Sequence, residues 1–190
     1  AFKEPFVGDI GIKKDKIEFV GDLKESPSKD VIDATGLYVS PGFVDMHSHS
    51  DYIILKEKPF LGKIYQGITT EVIGNCGMSV APYNEKSFPS LQGYKFCLGG
   101  FPHFSSLSWK RYLNLLKSSG LITNIVPLVG HGNIRTFVKG EVLSERLKEG
   151  ELKNMKNLLR EIMENGAFGF STGLIYPPGI FTSTEEIIEL

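Results

Sequence analysis

Cysteine is scarce in this chain of 190 residues, where only Cys76 and Cys97 occur. Two thiols allow one disulfide at most, which excludes a disulfide-stapled scaffold; free thiols in a reducing cytoplasm are the better reading. Neither sign of charge is in surplus, with 21 Lys+Arg against 22 Asp+Glu and a formal net charge of −1. Nothing in that balance draws in a polyanion, so neither nucleic acid nor a membrane surface is expected as a partner. No apolar run approaches the roughly 20 residues that span a bilayer, and no charged-then-apolar signal pattern opens the sequence. Phosphate-cradling loops of the forms G-x-G-x-x-G and G-x-x-x-x-G-K-[ST] are missing, as is a G-x-S-x-G nucleophile elbow. The nearest approach to the elbow, Gly169-Phe170-Ser171-Thr172-Gly173, opens a loop rather than a helix. What remains, 41% hydrophobic and 23% charged with 21 Gly and 10 Pro, is the composition of an ordinary globular protein.

The pattern of elements changes once along the chain. Asp9 to Ile12 and Lys16 to Val20 alternate polar and apolar residues around a tight Lys14-Asp15 turn, and Ile32 to Val39 reads as a further strand broken by Gly36. From Pro41 onward, strands alternate with helices. The predicted strands are Gly42 to His47, Ile68 to Ile73, Ile122 to Val129 and Ala167 to Ser171. A short helix from Pro59 to Gln66 is stopped by Gly67, and Ser108 caps a helix from Trp109 to Ser119 that Gly120 ends. Leu152, Met155, Leu158, Leu159, Ile162 and Met163 then fall on one helical face, closed by Gly166. The stretch from Ser79 to Ser108, rich in Pro, Gly and Phe, reads as a long loop packed as a lid.

Strand-then-helix repetition predicts an α/β fold with a parallel sheet. Chemically capable residues end each strand: His47 and His49, then Cys76, then His131, then Ser171 with Tyr176 just beyond. Polar groups spread over many strand ends favour a (β/α)8 barrel over an open sheet, which gathers its ligand groups at one switch point. The expected organisation is a partial small β-domain over residues 1–40, then the first four βα units of the barrel over residues 41–190.

His47-Ser48-His49 is the sharpest local signal. Side chains two apart on an extended strand share a side, so both imidazoles can meet one metal ion, with Asp45 and Asp51 flanking them. Cys76, in Gly74-Asn75-Cys76-Gly77, is either a small buried hydrophobe or a thiolate ligand for zinc; its tight turn and the neighbouring His pair favour the ligand. His131 and Arg135 lie in Gly130-His131-Gly132-Asn133-Ile134-Arg135, read as a glycine-flexed loop. They can bind a substrate carboxylate, since the guanidinium forks to match it, or decorate a surface loop. Tyr176 can offer its hydroxyl to a ligand or serve as a packing aromatic between the chain and two prolines. Cys97 and His103 are read as structural.

These blocks resemble a known family. Asp33-Ala34-Thr35-Gly36 through Pro41-Gly42-Phe43-Val44-Asp45-Met46-His47-Ser48-His49-Ser50-Asp51 looks like the first-strand signature of metal-dependent amidohydrolases. Gln66 to Thr70 running into Gly74 to Pro82, Val129 to Gly132, and Gly166 to Gly179 narrow the likeness to D-aminoacylases, the N-acyl-D-amino-acid deacylases. The resemblance implies that His47 and His49 bind the more weakly held metal. It also implies that Cys76 takes the ligand role filled by a carboxylated lysine in hydantoinase-like and dihydroorotase-like relatives. Tyr176, and with them His131 and Arg135, are implied to lie near the substrate. The implied cofactor is zinc, the implied substrate a small N-acyl-D-amino acid, and the implied reaction amide hydrolysis by metal-activated water. The implied fold is a (β/α)8 barrel with a small β-domain built from both chain ends.

The family completes its site with two later histidines and an aspartate near the last strand, and no candidates for them follow His131. A barrel of this kind takes about 250 residues. The expectation is therefore a fragment of a longer enzyme, inactive alone, with the catalytic aspartate beyond residue 190 and the remaining half needed to complete the barrel. Two alternatives stand beside the deacylase reading: a cyclic amidase of the dihydroorotase or hydantoinase type, and a catalytically dead metal-binding homologue.

Overall fold

The computed structural model describes residues 4–23, 27–55, 61–94, 97–100, 104–140 and 146–190. They form two units, Ala1–Ser40 and Pro41–Leu190.

In the first unit, β1 (Asp9–Lys13) and β2 (Lys16–Gly21) make an antiparallel hairpin with a register shift between Gly11 and Ile12. Lys14 takes a left-handed φ of 57° to close its turn. The strand expected from Ile32 to Val39 does not form. Asp33 accepts the Thr35 amide at 2.9 Å, and the Leu37 amide reaches the Ala34 carbonyl at 2.9 Å, folding the segment into a turn at Gly36. Asp and Gly turn chemistry wins where no described neighbour pairs with the strand, and Ile32 is left 91% exposed.

The second unit is built on a parallel sheet of β3 (Phe43–Asp45), β4 (Ile68–Ile73), β5 (Asn124–Gly130) and β6 (Gly169–Ser171), in that spatial order. Sequential strands are spatial neighbours, as expected of successive βα crossovers. Its α-helices are α1 (Phe88–Leu91), α2 (Trp109–Ser118), α3 (His131–Lys139), α4 (Glu149–Glu164) and α5 (Thr184–Glu189). Ser108 caps α2 by accepting the Arg111 amide at 3.3 Å, and Trp109, Tyr112 and Leu116 form its buried stripe. Met155, Leu159 and Ile162 do the same for α4. Ile64–Gln66 is a 3₁₀ turn ended by Gly67, at φ 77°, while Pro59 and Phe60 of the helix expected there lie outside the described residues.

The core joins Ile73 and Val129 of the sheet to Ile134, Met155 and Ile162 of the helices. The segment expected as a lid packs into that core. Tyr83 and Leu107 exchange both backbone hydrogen bonds, at 3.0 and 2.9 Å, and Val80, Ala81, Leu91 and Leu98 are buried with them. Residues 101–103, and so His103, lie outside the described residues. No helix among the described residues is long and apolar enough to cross a membrane.

The segment read as a glycine-flexed loop is helix α3, starting directly at the end of β5. Gly132 and Asn133 are weak helix formers, and beside Ile134 the helix buries the polar side chains of His131, Asn133, Arg135 and Thr136. Each finds partners. Asn133 accepts the Ser79 amide at 2.9 Å and donates to the Ser79 carbonyl at 2.8 Å. His131 Nε2 donates to Glu186 of α5 at 2.8 Å, and the Arg135 guanidinium meets the other Glu186 oxygen. Burial works to raise the Glu186 carboxyl, but hydrogen bonds from His131 and Arg135, and their charges, hold it below the usual range.

Removing one member of a buried ionic cluster strands the others, at a cost of about 3–5 kcal/mol. Glu186→Ala is expected to lose about that much stability in urea unfolding. Because the folded carboxyl titrates below its unfolded value, the wild-type contribution is complete above about pH 4.3 and fades as pH falls further. The stability gap between wild type and Glu186→Ala should therefore narrow in acid.

Candidate metal centre

The strand order brings the ends of β3 and β4 side by side, and His47, His49 and Cys76 follow them. β3 ends at Asp45, two residues earlier than the sequence pattern suggests, and the chain bends at Met46 and His47; burial nevertheless alternates along residues 47 to 50. Ser48 and Ser50 are buried, while His47 is exposed and His49 half-buried. One ligand atom from each of His47, His49 and Cys76 lies within 4.8 Å of the others. His47 Nε2 is 3.1 Å from Cys76 Sγ, and the two imidazole rings sit edge to face with centroids 5.4 Å apart.

Two nitrogens and a sulfur gathered this way fit a borderline-soft divalent ion such as zinc. His49 supplies independent support. Its buried Nδ1 has no hydrogen-bond partner among the described residues. Burial first, and the nearby His47 second, hold its pKa below the ordinary histidine value, which keeps the imidazole neutral as a ligand must be.

Cys76 is presented by a strained loop. Gly74 (φ 77°), Cys76 (φ 57°) and Gly77 (φ 72°) all adopt left-handed backbone, which only glycine visits without cost. A side chain at Gly74 would collide with the Leu128 carbonyl of β5. Surrounding hydrogen bonds hold the loop closed. Ser171, ending β6, donates to the Gly74 carbonyl and accepts the Gly77 amide at 2.9 Å. The Tyr176 hydroxyl donates to the Cys76 carbonyl, and the Gly132 amide of α3 donates to the Gly77 carbonyl at 2.9 Å. Asn75 ties the loop to the His segment through the Ser48 carbonyl at 3.1 Å, and to β4 through the Val72 carbonyl at 2.8 Å.

The His segment is anchored from the other side. Asp45 accepts the His47 amide at 3.1 Å and pairs with Lys63. The Lys63 bond first, then the His47 amide, hold the Asp45 carboxyl below its usual range. Glu71 of β4, only 2% exposed, accepts from Ser48 at 3.0 Å, Ser50 at 2.6 Å and Thr123 at 3.0 Å, with Lys63 Nζ 3.8 Å away. Sequence reading passed over Glu71 and Lys63; the available signal was a carboxylate within a strand whose C-terminal half is otherwise apolar. Asp51 is wholly buried, and neither of its side-chain oxygens has a hydrogen-bond partner of good geometry. Burial lifts its carboxyl to about 7, with its own and the Gly74 amide opposing and Glu71 adding to the rise.

The other expected site residues are placed differently. Tyr176 stands beside Cys76 with its hydroxyl on that residue's carbonyl, and burial raises its pKa. His131 and Arg135 are one helical turn apart on α3, fully buried and joined to Glu186 rather than displayed on a loop. Cys97 is an exposed free thiol.

Four parallel strands with donors clustered at their C-terminal ends are the first half of a (β/α)8 barrel, bearing its site at the end where such barrels carry chemistry. The amidohydrolase family profile matches residues 30–182, and the chain belongs to that family. It is 37% identical over 183 residues to an N-acyl-D-aspartate deacylase from Alcaligenes xylosoxydans xylosoxydans, covering 96% of this chain and 36% of that protein. The crystal structure of a D-aminoacylase superposes with a TM-score of 0.84 at 37% identity, over 97% of this chain and 38% of that one. An N-acyl-D-glutamate deacylase from Bordetella bronchiseptica, solved with zinc and a phosphonate mimic of the tetrahedral intermediate, gives 0.81 at 32% identity, over 96% and 38%. The chain thus spans little more than a third of the length of the relatives it matches.

Ser171→Ala removes both stitches across the Cys76 loop. In a Cys97→Ser background, the Cys76 thiol should alkylate several-fold faster in the metal-free protein, and stability should drop by about 1–3 kcal/mol. An unchanged alkylation rate would mean that Ser171 does not hold the loop.

Proposed function

We propose that the intact protein is a zinc-dependent hydrolase of N-acyl-D-amino acids, cleaving the amide to release a carboxylate and a free D-amino acid. The observation that carries this reading is the convergence of His47, His49 and Cys76 within 4.8 Å at the strand ends of an amidohydrolase-family chain. When bound, zinc supplies Lewis-acid polarisation of an amide carbonyl and a water activated near neutral pH.

His47 and His49 would hold the ion through neutral imidazoles and Cys76 through its thiolate, a donor set suited to zinc. Tyr176 keeps the Cys76 backbone fixed while its ring stands at the mouth of β6. Asp45 fixes the backbone of His47. His131 and Arg135 act through Glu186, securing α5 against α3, and their burial supports that role in place of direct substrate contact. A cysteine at the ligand position, with no lysine in Gly169-Phe170-Ser171 of β6, favours a linear-amide deacylase over a cyclic amidase. A thiolate ligand also has to stay reduced, which favours a cytoplasmic location.

Hydrolysis of N-acetyl-D- and N-acetyl-L-amino acids by the intact protein tests this directly. Turnover of the D series, its loss on chelation and its return with zinc are expected. Cys76→Ala should lower zinc content and reduce kcat/KM by at least about 100-fold. Zinc content and activity that both survive Cys76→Ala would overturn the assignment. Since the ligands must be deprotonated, bound zinc should hold at pH 7 and be released as pH falls below about 6.

A further inference from the structure

Glu71 takes no part in the chemistry above, yet its surroundings single it out. A carboxylate inside a parallel sheet is costly to bury, and an apolar residue there would cost nothing in desolvation. Two of the three hydroxyls it accepts come from Ser48 and Ser50, the residues that alternate with His47 and His49.

That segment needs outside anchoring. The β3–β4 ladder ends at Asp45 opposite Glu71; beyond a bend at Met46 and His47, the Ser48 amide reaches the Val72 carbonyl at 3.0 Å. In an extended chain, drawing the even-numbered side chains inward forces the odd-numbered ones to the other side. A slip of one residue would turn the serines toward Cys76 and bury the imidazoles. Both serine hydroxyls converge on the same Glu71 oxygen, so one buried acceptor fixes that choice for both residues. Lys63 reinforces the arrangement: it lies 3.8 Å from Glu71 and also pairs with Asp45, whose other oxygen holds the His47 amide.

We propose that Glu71 is a positioning residue for the metal centre, holding Ser48 and Ser50 inward so that His47 and His49 face Cys76. The inference rests on His47, His49 and Cys76 being the metal ligands.

The test uses the intact protein. Zinc affinity is read by competition with a chromogenic chelator. The cobalt-substituted protein reports ligand geometry through its d–d bands and its thiolate-to-cobalt charge-transfer band. Glu71→Gln, and separately the pair Ser48→Ala with Ser50→Ala, should weaken zinc binding by about 10–100-fold and alter the cobalt spectrum. Combining the two changes should add little, because both remove the same linkage. Thr123→Ala is the control for mere stability, since Thr123 meets the other Glu71 oxygen and does not bond the His segment. It should lower the melting temperature and leave the spectrum unchanged.

Unaltered cobalt bands and zinc affinity within about two-fold of wild type in Glu71→Gln would overturn the inference. Should that variant fail to fold, the Ser48/Ser50 pair, which leaves the carboxylate with Thr123 and Lys63, decides the question by the same readings. Wild-type protein that takes up no zinc would overturn the metal-centre reading itself. Wild type that binds zinc while both variants bind equally well would overturn the role of Glu71 alone.

Discussion

A carboxyl group buried in the middle of the sheet organises the part of this molecule where chemistry is concentrated. Glu71 is tolerated at 2% exposure because Ser48, Ser50 and Thr123 donate to it and Lys63 stands close by. Meeting that demand draws together the segment after β3, the middle of β4 and the approach to β5. The donor side chains that emerge opposite the serines are His47 and His49. One electrostatic requirement thus links sheet assembly to the placement of two imidazoles.

The Cys76 loop answers the opposite problem, since its backbone is strained rather than its charge being costly. Left-handed backbone at Cys76 persists only where the surroundings over-determine it. Here Ser171, Tyr176 and Gly132 each contribute a hydrogen bond, from the end of β6, the loop beyond it and the start of α3. Every strand end of the sheet therefore serves the site, either by carrying a donor or by clamping the residue that does. Fold alone does not fix an activity. The two-imidazole, one-thiol cluster is what supports the proposed metal-assisted hydrolysis.

Much of this was legible from the sequence. The alternation of strands and helices, the caps at Ser108 and Gly166, the His47-Ser48-His49 spacing and the tight turn at Cys76 rest on local rules, and the structure forms those elements. Local rules failed where distant residues decide. Helix α3 can bury polar side chains beside its apolar Ile134 because Ser79 and Glu186, 51 to 55 residues away along the chain, satisfy them. Glu71 looked like one polar residue in a strand until hydroxyls 21, 23 and 52 residues distant converged on it. The strand expected from Ile32 to Val39 had suitable alternation, but Asp33 and Gly36 carried a turn signal that outweighed it.

X-ray absorption at the zinc edge of the intact protein probes the His47–His49–Cys76 centre most directly. One sulfur scatterer at about 2.3 Å, alongside nitrogen at about 2.0–2.1 Å, is the expected first shell, with the sulfur lost in Cys76→Ser. A shell of nitrogen and oxygen alone in the wild-type protein would contradict it.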